Sequence, residues 1–149
     1  MIKNLRIQNF KGWKDTGVVR LSPLTVFFGA NSSGKSSIGQ FLMLLKQSME
    51  SSDRKAVFFT GNEDTAVDLG LPSDLVFNRD WNNGIKFFYD WILEKEIKLE
   101  DVLHEKRFTS KHIAFSGEAK ITDAESQNLE VNNFNYILKL PTLKMGFAP

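Results

Sequence analysis

The stretch Gly29-Ala30-Asn31-Ser32-Ser33-Gly34-Lys35-Ser36 decides how this chain is interpreted. It fits the pattern G-x-x-x-x-G-K-[ST], in which a glycine-rich loop surrounds phosphate groups. The two glycines permit backbone conformations that other residues avoid, so successive N–H groups can converge on anionic oxygens. The pattern therefore predicts a phosphate-binding P-loop, also called a Walker A motif, over these eight residues.

Each residue type in the motif suits a task in binding a nucleotide. The Lys35 ammonium is predicted to reach the β- and γ-phosphates and stabilise their charge, and the Ser36 hydroxyl is predicted to ligate Mg²⁺. A helix that starts near Lys35 adds the positive end of its dipole. The predicted nucleotide-binding residues are Gly29, Ala30, Asn31, Ser32, Ser33, Gly34, Lys35, Ser36 and Ser37.

The segments on both sides of the loop fit the same motif. Leu24–Phe28 is apolar without polar alternation, which is typical of a strand buried on both faces. Beyond the loop, apolar residues recur at helical spacing at Ile38, Phe41, Leu42, Leu45 and Met49. We therefore predict a strand, the P-loop and a helix that ends near residues 48–52, with Gly39 allowing close packing on the strand. An ordinary strand–turn–helix with a solvent-exposed lysine is the alternative.

Most of the remaining chain has the alternation of β-strands. Ile2–Phe10 and Val18–Leu21 are predicted to form an antiparallel pair before the P-loop strand. Residues 94–108 fit either a charged helix or a strand followed by a helical turn. Further strands are predicted at Ile85–Trp91, Ile113–Thr122 and Leu129–Leu140.

Two stretches together resemble a known group of ATPases. Gly29–Ser36 looks like the G-x-N-x-[SA]-G-K-[ST] variant of ABC-type ATPases, especially the SMC and RecF group and the related OLD-type ATPases. Leu5-Arg6-Ile7-Gln8-Asn9-Phe10-Lys11-Gly12 resembles the first strand of that group, which typically ends in Asn-Phe followed by a basic residue.

The resemblance has implications for the site and for the fold. It implies ATP as the nucleotide, with Lys11 near it and with Asn31 and Ser33 shaping the loop. It also implies an α/β fold, in which a P-loop NTPase strand–loop–helix core joins an antiparallel β subdomain, as in an incomplete ABC-type ATPase head. On this basis residues 1–149 are predicted to be the amino-terminal part of a P-loop ATPase domain. The β-pair, P-loop strand and helix occupy 1–50, and a mainly β subdomain occupies 51–149.

Hydrolysis by a P-loop enzyme also needs an acidic residue at the end of a second buried strand. The sequence has no run of four apolar residues followed by Asp-Glu, and no general base is identified. Ala56–Phe59 is apolar, but Glu63 and Asp64 lie too far beyond it, behind a glycine, to be that acidic residue. We therefore predict a short strand followed by a turn. The resemblance places the acidic strand, helical lobe, signature and switch histidine beyond Pro149. We therefore expect this chain to bind Mg·ATP without efficient turnover, and hydrolysis to belong to a completed, dimerised head.

Other candidate features are interpreted as structural. Phe115-Ser116-Gly117-Glu118 is similar to part of the Leu-Ser-Gly-Gly signature but is predicted to be a strand or bulge. His104 and His112 lack a metal-ligand pattern and are predicted to be surface histidines. An aromatic set is predicted to pack in the core of a sheet, with base stacking as the alternative: Trp81, Phe87, Phe88, Tyr89 and Trp91.

Composition and charge limit the class of protein further. The 149 residues contain no cysteine, which excludes disulfides, thiolate zinc sites and cysteine nucleophiles within this chain. There is no apolar run long enough for a membrane helix and no signal-peptide pattern, so we expect a cytoplasmic protein. Residues 1–48 carry seven basic side chains against Asp15 as their one acid, which suits an anionic ligand; solvated strand faces are the alternative.

The leading hypothesis is an ATPase that acts on DNA, in repair or defence, as a homodimer or with a complementing chain. The link to DNA comes from the resemblance only. The first alternative is a non-catalytic nucleotide-binding or assembly module, which the missing acidic strand favours. The second is a small-molecule kinase, for which Lys106, Arg107 and Lys111 are the only lid-like cluster.

Overall fold

The computed structural model describes residues 1–51, 58–80, 82–101, 103, 106–122 and 129–139. Strands form where polar and apolar residues alternate, and one long helix follows the glycine-rich loop. In chain order the elements are β1 (Ile2–Phe10), β2 (Trp13–Asp15), β3 (Val19–Arg20), α1 (Lys35–Glu50), α2 (Pro72–Leu75), a 3₁₀ turn (Phe77–Arg79), β4 (Ile85–Asp101), β5 (Lys106–Ile121) and β6 (Leu129–Lys139).

The strands form one antiparallel sheet in the order β2-β1-β4-β5-β6, with β3 also paired to β1. Leu5 on β1 pairs with Tyr89 on β4, and Tyr89 pairs with Phe115 on β5. Phe115 in turn pairs with Tyr136 on β6. Because residues that pair directly share a face of the sheet, this register builds a continuous apolar row across four strands.

The core lies between this apolar face and α1, with Phe41 of the helix at its centre. The ring centroid of Phe41 is 5.2 Å from that of Phe10 and 5.6 Å from that of Phe87. All three rings are buried, as are Leu5 and Ile7 beside them. Each buried side chain of this size contributes roughly 1.5–3 kcal/mol, so this contact stabilises α1 on the sheet.

A buried carboxylate connects four strands on the opposite face of the sheet. Asp90 is 1% exposed and accepts hydrogen bonds from Asn4 Nδ2 at 2.9 Å and from Lys139 Nζ at 3.1 Å. His112 Nε2 lies 3.2 Å from the same carboxylate. Burial raises the pKa of Asp90, but the contacts with Lys139, Asn4 and His112 lower it by more, so this pKa lies below its ordinary value.

Several predicted elements are confirmed. β1 has its predicted bounds, and the first strands pair antiparallel. α1 begins at Lys35, as predicted, and ends at Glu50. The three later strands are present as β4, β5 and β6. Of the described residues between 94 and 108, all but residue 103 lie in β4 or β5, so the charged-helix alternative is wrong. Residue 140, the predicted end of the last strand, lies outside the described residues.

The predicted buried strand Leu24–Phe28 is wrong. These residues form no strand, and they are largely exposed, Leu24 to 81% and Phe28 to 90%. All strand pairs among the described residues are antiparallel, so a strand of the parallel type finds no neighbour there. The predicted α/β core is therefore not confirmed, since the described chain is mainly antiparallel β with one long helix.

Candidate functional site

The glycine-rich loop between residue 28 and α1 has an unusual backbone. Gly29, Ser32 and Gly34 have φ angles of 150°, 61° and 82°, in the region that side chains disfavour. A Cβ on Gly34 would lie 2.7 Å from Nε1 of Trp13, and one on Gly29 would lie 3.2 Å from Oγ of Ser33. Both glycines of the motif are therefore favoured by their backbone conformation, and Gly34 is also favoured by lack of space for a side chain.

The loop leads directly into the amino-terminal end of α1. Gly34 is the residue that precedes the helix, and no described side chain caps this end. The Ser37 N–H donates to the Gly34 carbonyl at 3.0 Å, and the first turn contains no acidic residue. A helix end of this kind combines the positive end of the dipole with N–H groups that can donate hydrogen bonds to an anion.

The Lys35 side chain folds back over the loop. Its Nζ donates to the Gly29 carbonyl at 2.8 Å and to the Ala30 carbonyl, and it lies 3.4 Å from Ser33 Oγ. The ammonium group is thus held at the mouth of the loop, beside the helix end.

The two serines after Lys35 differ in exposure. Ser36 is exposed, so its hydroxyl is accessible to a metal ion, whereas Ser37 is buried against the core. Among the described residues there is no group of three or more His, Asp or Glu side chains that could hold a metal. Within this loop, a magnesium ion would have the Ser36 hydroxyl as a protein ligand beside phosphate oxygens and water, which suits the preference of Mg²⁺ for few protein ligands.

The turn between β1 and β2 lies against the end of the loop. Trp13 Nε1 donates to the Gly34 carbonyl at 2.8 Å, and a Cβ on Gly12 would lie 3.2 Å from the Cα of Gly34. Lys11, in the same turn, has a φ of 46°, and its N–H donates to the Leu75 carbonyl at 2.6 Å. The structure thus brings the turn that carries Lys11 to the P-loop. Sequence analysis missed Trp13, although an aromatic residue directly after Lys11-Gly12 was a usable signal.

The acidic residues after Ala56–Phe59 lie far from the loop. Glu63 and Asp64 are exposed, and a turn closed by Asn62 and Thr65 contains them. This turn borders the carboxyl-terminal half of α1, near Gln47, roughly 18 Å along the helix from Lys35. Phe58 and Phe59 are not in a strand, and residues 56–57 lie outside the described part. These acids therefore cannot hold a metal at the P-loop in this structure.

The remaining candidate features belong to the sheet. Phe115–Glu118 lies in β5, with a register shift after Glu118, so its interpretation as a strand or bulge is confirmed. Arg107 and Lys111 also lie in β5, so the lid-like cluster of a kinase is not found in the described residues. His112 is half-buried beside Asp90, which corrects its prediction as a surface histidine. His104 and Trp81 lie outside the described residues.

The predicted aromatic set packs mainly as part of the sheet. The rings of Phe87, Tyr89 and Trp91 stack along β4 on the face that α1 covers, with centroids 6.2 and 5.4 Å apart. Burial raises the pKa of the Tyr89 hydroxyl, and nearby Tyr136 adds to this shift. Phe88 occupies the opposite face, as strand alternation requires.

A glycine-rich loop that leads into a helix at a lysine defines the phosphate site of P-loop nucleotide-binding proteins. The family model described as "AAA ATPase domain" matches residues 1–145. The chain therefore belongs to the AAA ATPase domain family, as its resemblance to P-loop ATPases predicted, and this membership indicates ATP binding. No curated protein matches the chain. None of its described helices has the length and apolar character needed to cross a bilayer.

Proposed function

We propose that this chain binds Mg·ATP through the Walker A loop Gly29–Ser36, as part of an ATPase of the SMC, RecF and OLD-like group. One observation carries the proposal. The Lys35 ammonium lies over the loop, within hydrogen-bond distance of its carbonyl oxygens, at the uncapped end of α1. A triphosphate placed there meets one full positive charge and the positive end of a helix dipole.

The roles of the loop residues follow from this position. Lys35 stabilises the charge of the β- and γ-phosphates, while the loop N–H groups bind their oxygens. Ser36 provides the protein ligand to Mg²⁺, which when bound neutralises phosphate charge. Asn31 and Ser33 shape the loop, and Lys11 adds positive charge from the adjoining turn.

The completed site requires further strands, which the resemblance places outside residues 1–149. The exposed apolar segment Leu24–Phe28 supports this, because it leads directly into the loop and has the composition of a strand covered on both faces. In this proposal hydrolysis belongs to the completed assembly, which supplies the acidic residue for the metal. DNA is the proposed substrate of that assembly, by analogy with the family; the basic residues among 1–48 are compatible with it.

The central test is the affinity for Mg·ATP after Lys35→Ala, measured by calorimetric titration. The loss of a charge that contacts phosphate should weaken binding roughly tenfold or more. Lys46→Ala is the matched control, because Lys46 is an exposed lysine of the same helix beyond the loop. It should bind like the unmodified chain. An unchanged affinity in Lys35→Ala contradicts the proposal.

A non-catalytic nucleotide-binding module is the second candidate function. The position of Glu63 and Asp64 favours it, since these acids lie roughly 18 Å along α1 from the phosphate site. A phosphate-release assay on the purified chain tests the non-catalytic module. Sustained turnover that Lys35→Ala abolishes would rule out the non-catalytic module.

A further inference from the structure

We propose that Trp13 is a positioning residue of the phosphate site, which sets the orientation of the peptide that joins Gly34 to Lys35. The inference rests on the proposed nucleotide binding and adds to it a residue outside the Walker A motif. It also couples the β1–β2 turn, which carries Lys11, to the loop.

Trp13 contacts Gly34 in two ways. The indole Nε1–H donates to the Gly34 carbonyl at 2.8 Å, and the ring covers the space where a Cβ would stand. That space lies 2.7 Å from Nε1, closer than a real Cβ approaches, and 3.1 Å from Cε2. The indole therefore leaves no space for a side chain at position 34, where the φ of 82° also favours glycine.

The hydrogen bond acts on a peptide at the phosphate site. In a trans peptide the C=O and the following N–H point in opposite directions. The Gly34 carbonyl accepts from both Trp13 Nε1 and the Ser37 N–H, so two donors fix this peptide plane. The direction of the Lys35 N–H, the first donor of α1, is fixed at the same time. Preorganised donors bind an anion without the cost of ordering them first.

The indole is itself held by the core. Trp13 pairs with Phe10 at the start of the turn, and the buried ring of Phe10 packs against Phe41 of α1. Gly12 fits between them and the loop, with its Cβ position 3.2 Å from the Cα of Gly34. The turn that contacts the loop is therefore anchored by the sheet and by the core.

The test compares Mg·ATP affinity in Trp13→Phe and Trp91→Phe. Phenylalanine keeps an aromatic ring at position 13 but removes the N–H donor, so affinity should fall about fivefold to tenfold, the range expected for one hydrogen bond. Trp91 lies opposite Ile2, roughly 25 Å along β1 from the turn, so its substitution should leave affinity unchanged.

Tryptophan emission supplies a readout that a purely structural role would not change. Adding Mg·ATP should alter the emission of the unmodified chain and of Trp91→Phe, but not that of Trp13→Phe. If Trp13→Phe does not fold by circular dichroism, Gly12→Ala replaces it. The new Cβ would lie 3.2 Å from the Cα of Gly34, so it should press on the loop backbone and also weaken binding.

The outcomes separate the two proposals. If Lys35→Ala binds Mg·ATP normally, the proposed function fails. If Lys35→Ala loses binding while Trp13→Phe and Gly12→Ala keep the full affinity, only the role of Trp13 is overturned. Equal weakening in Trp13→Phe and Trp91→Phe also overturns it, because the effect would then come from general loss of packing.

Discussion

The sheet and its helix bury their apolar residues, whereas the segment before the glycine-rich loop leaves its apolar residues exposed. In the sheet, Leu5, Ile7 and Phe41 are fully buried. In the segment, Leu24 and Phe28 are mostly exposed, although their sequence is at least as apolar. Antiparallel strands that follow each other in the chain supply their own partners through short connections, whereas a parallel strand needs a partner from a distant part of a chain. Pairing of hairpin neighbours, together with the long-range pairing of β1 with β4, completes the first region, whereas Leu24–Phe28 pairs with no strand among the described residues.

The largest difference in stability is expected between the variants Phe41→Ala and Phe28→Ala. Removing Phe41 leaves a cavity between Phe10 and Phe87 and should cost about 3–5 kcal/mol in the free energy of unfolding. Removing Phe28, which is 90% exposed, should change it by less than about 0.5 kcal/mol. Urea denaturation of the two variants measures both. Similar losses would mean that Phe28 has buried contacts in solution.

A smaller effect is expected from Asp90→Asn, which tests the polar face of the sheet. Removing the charge of an acceptor that binds the Asn4 N–H, Asn4 Nδ2 and Lys139 Nζ should cost about 1.5–3 kcal/mol at neutral pH. Because the pKa of folded Asp90 lies below the ordinary value of 3.8, its stabilisation is present above about pH 4 and is lost as the pH falls below it.

The pH dependence of unfolding provides the control for Asp90. Asp15, whose pKa is lowered by Arg6 and by the Gly17 N–H, titrates in the same acid range and remains in the variant. Asp90→Asn should therefore reduce, but not abolish, the loss of stability below pH 4. An identical acid profile in both chains would count against a charged Asp90 in the folded state.

The smallest effects come from two glycines, Gly34→Ala and Gly39→Ala. Gly34 is left-handed and touches Trp13, so alanine should cost about 1–3 kcal/mol and weaken nucleotide binding. Gly39 lies within α1 with nothing within 4 Å of a Cβ, so alanine there should stabilise the chain by about 0.5–1 kcal/mol. Thermal unfolding measures both effects: Gly34→Ala should lower the melting temperature and Gly39→Ala should raise it. This open space also corrects the expectation of close packing at Gly39.

Much of the fold and part of the site were predictable. The alternation in β1 and the helical spacing after Lys35 depend on neighbouring residues, so they identified both elements with accurate bounds. The exposed side of α1 was less predictable, because Met49 fits the apolar spacing but is 82% exposed. Which turns of a helix are covered depends on how far the sheet extends beneath it.

Contacts between distant residues were not predictable. Trp13 and Gly34 are 21 positions apart, and Asn4 and Asp90 are 86 apart. No local pattern marks such pairs, because strand register and packing bring them together after the elements have formed.

The sequence by itself determined the G-x-x-x-x-G-K-S pattern, the helix that starts at Lys35 and most strands of the sheet, because each depends on residues within a few positions of one another. Only the tertiary structure decided that Trp13 donates a hydrogen bond to Gly34, that Asp90 is buried beside Asn4 and Lys139, and that Leu24–Phe28 is largely exposed. Whether an apolar segment becomes a buried strand depends on the neighbours that the fold brings to it, and composition does not contain that information.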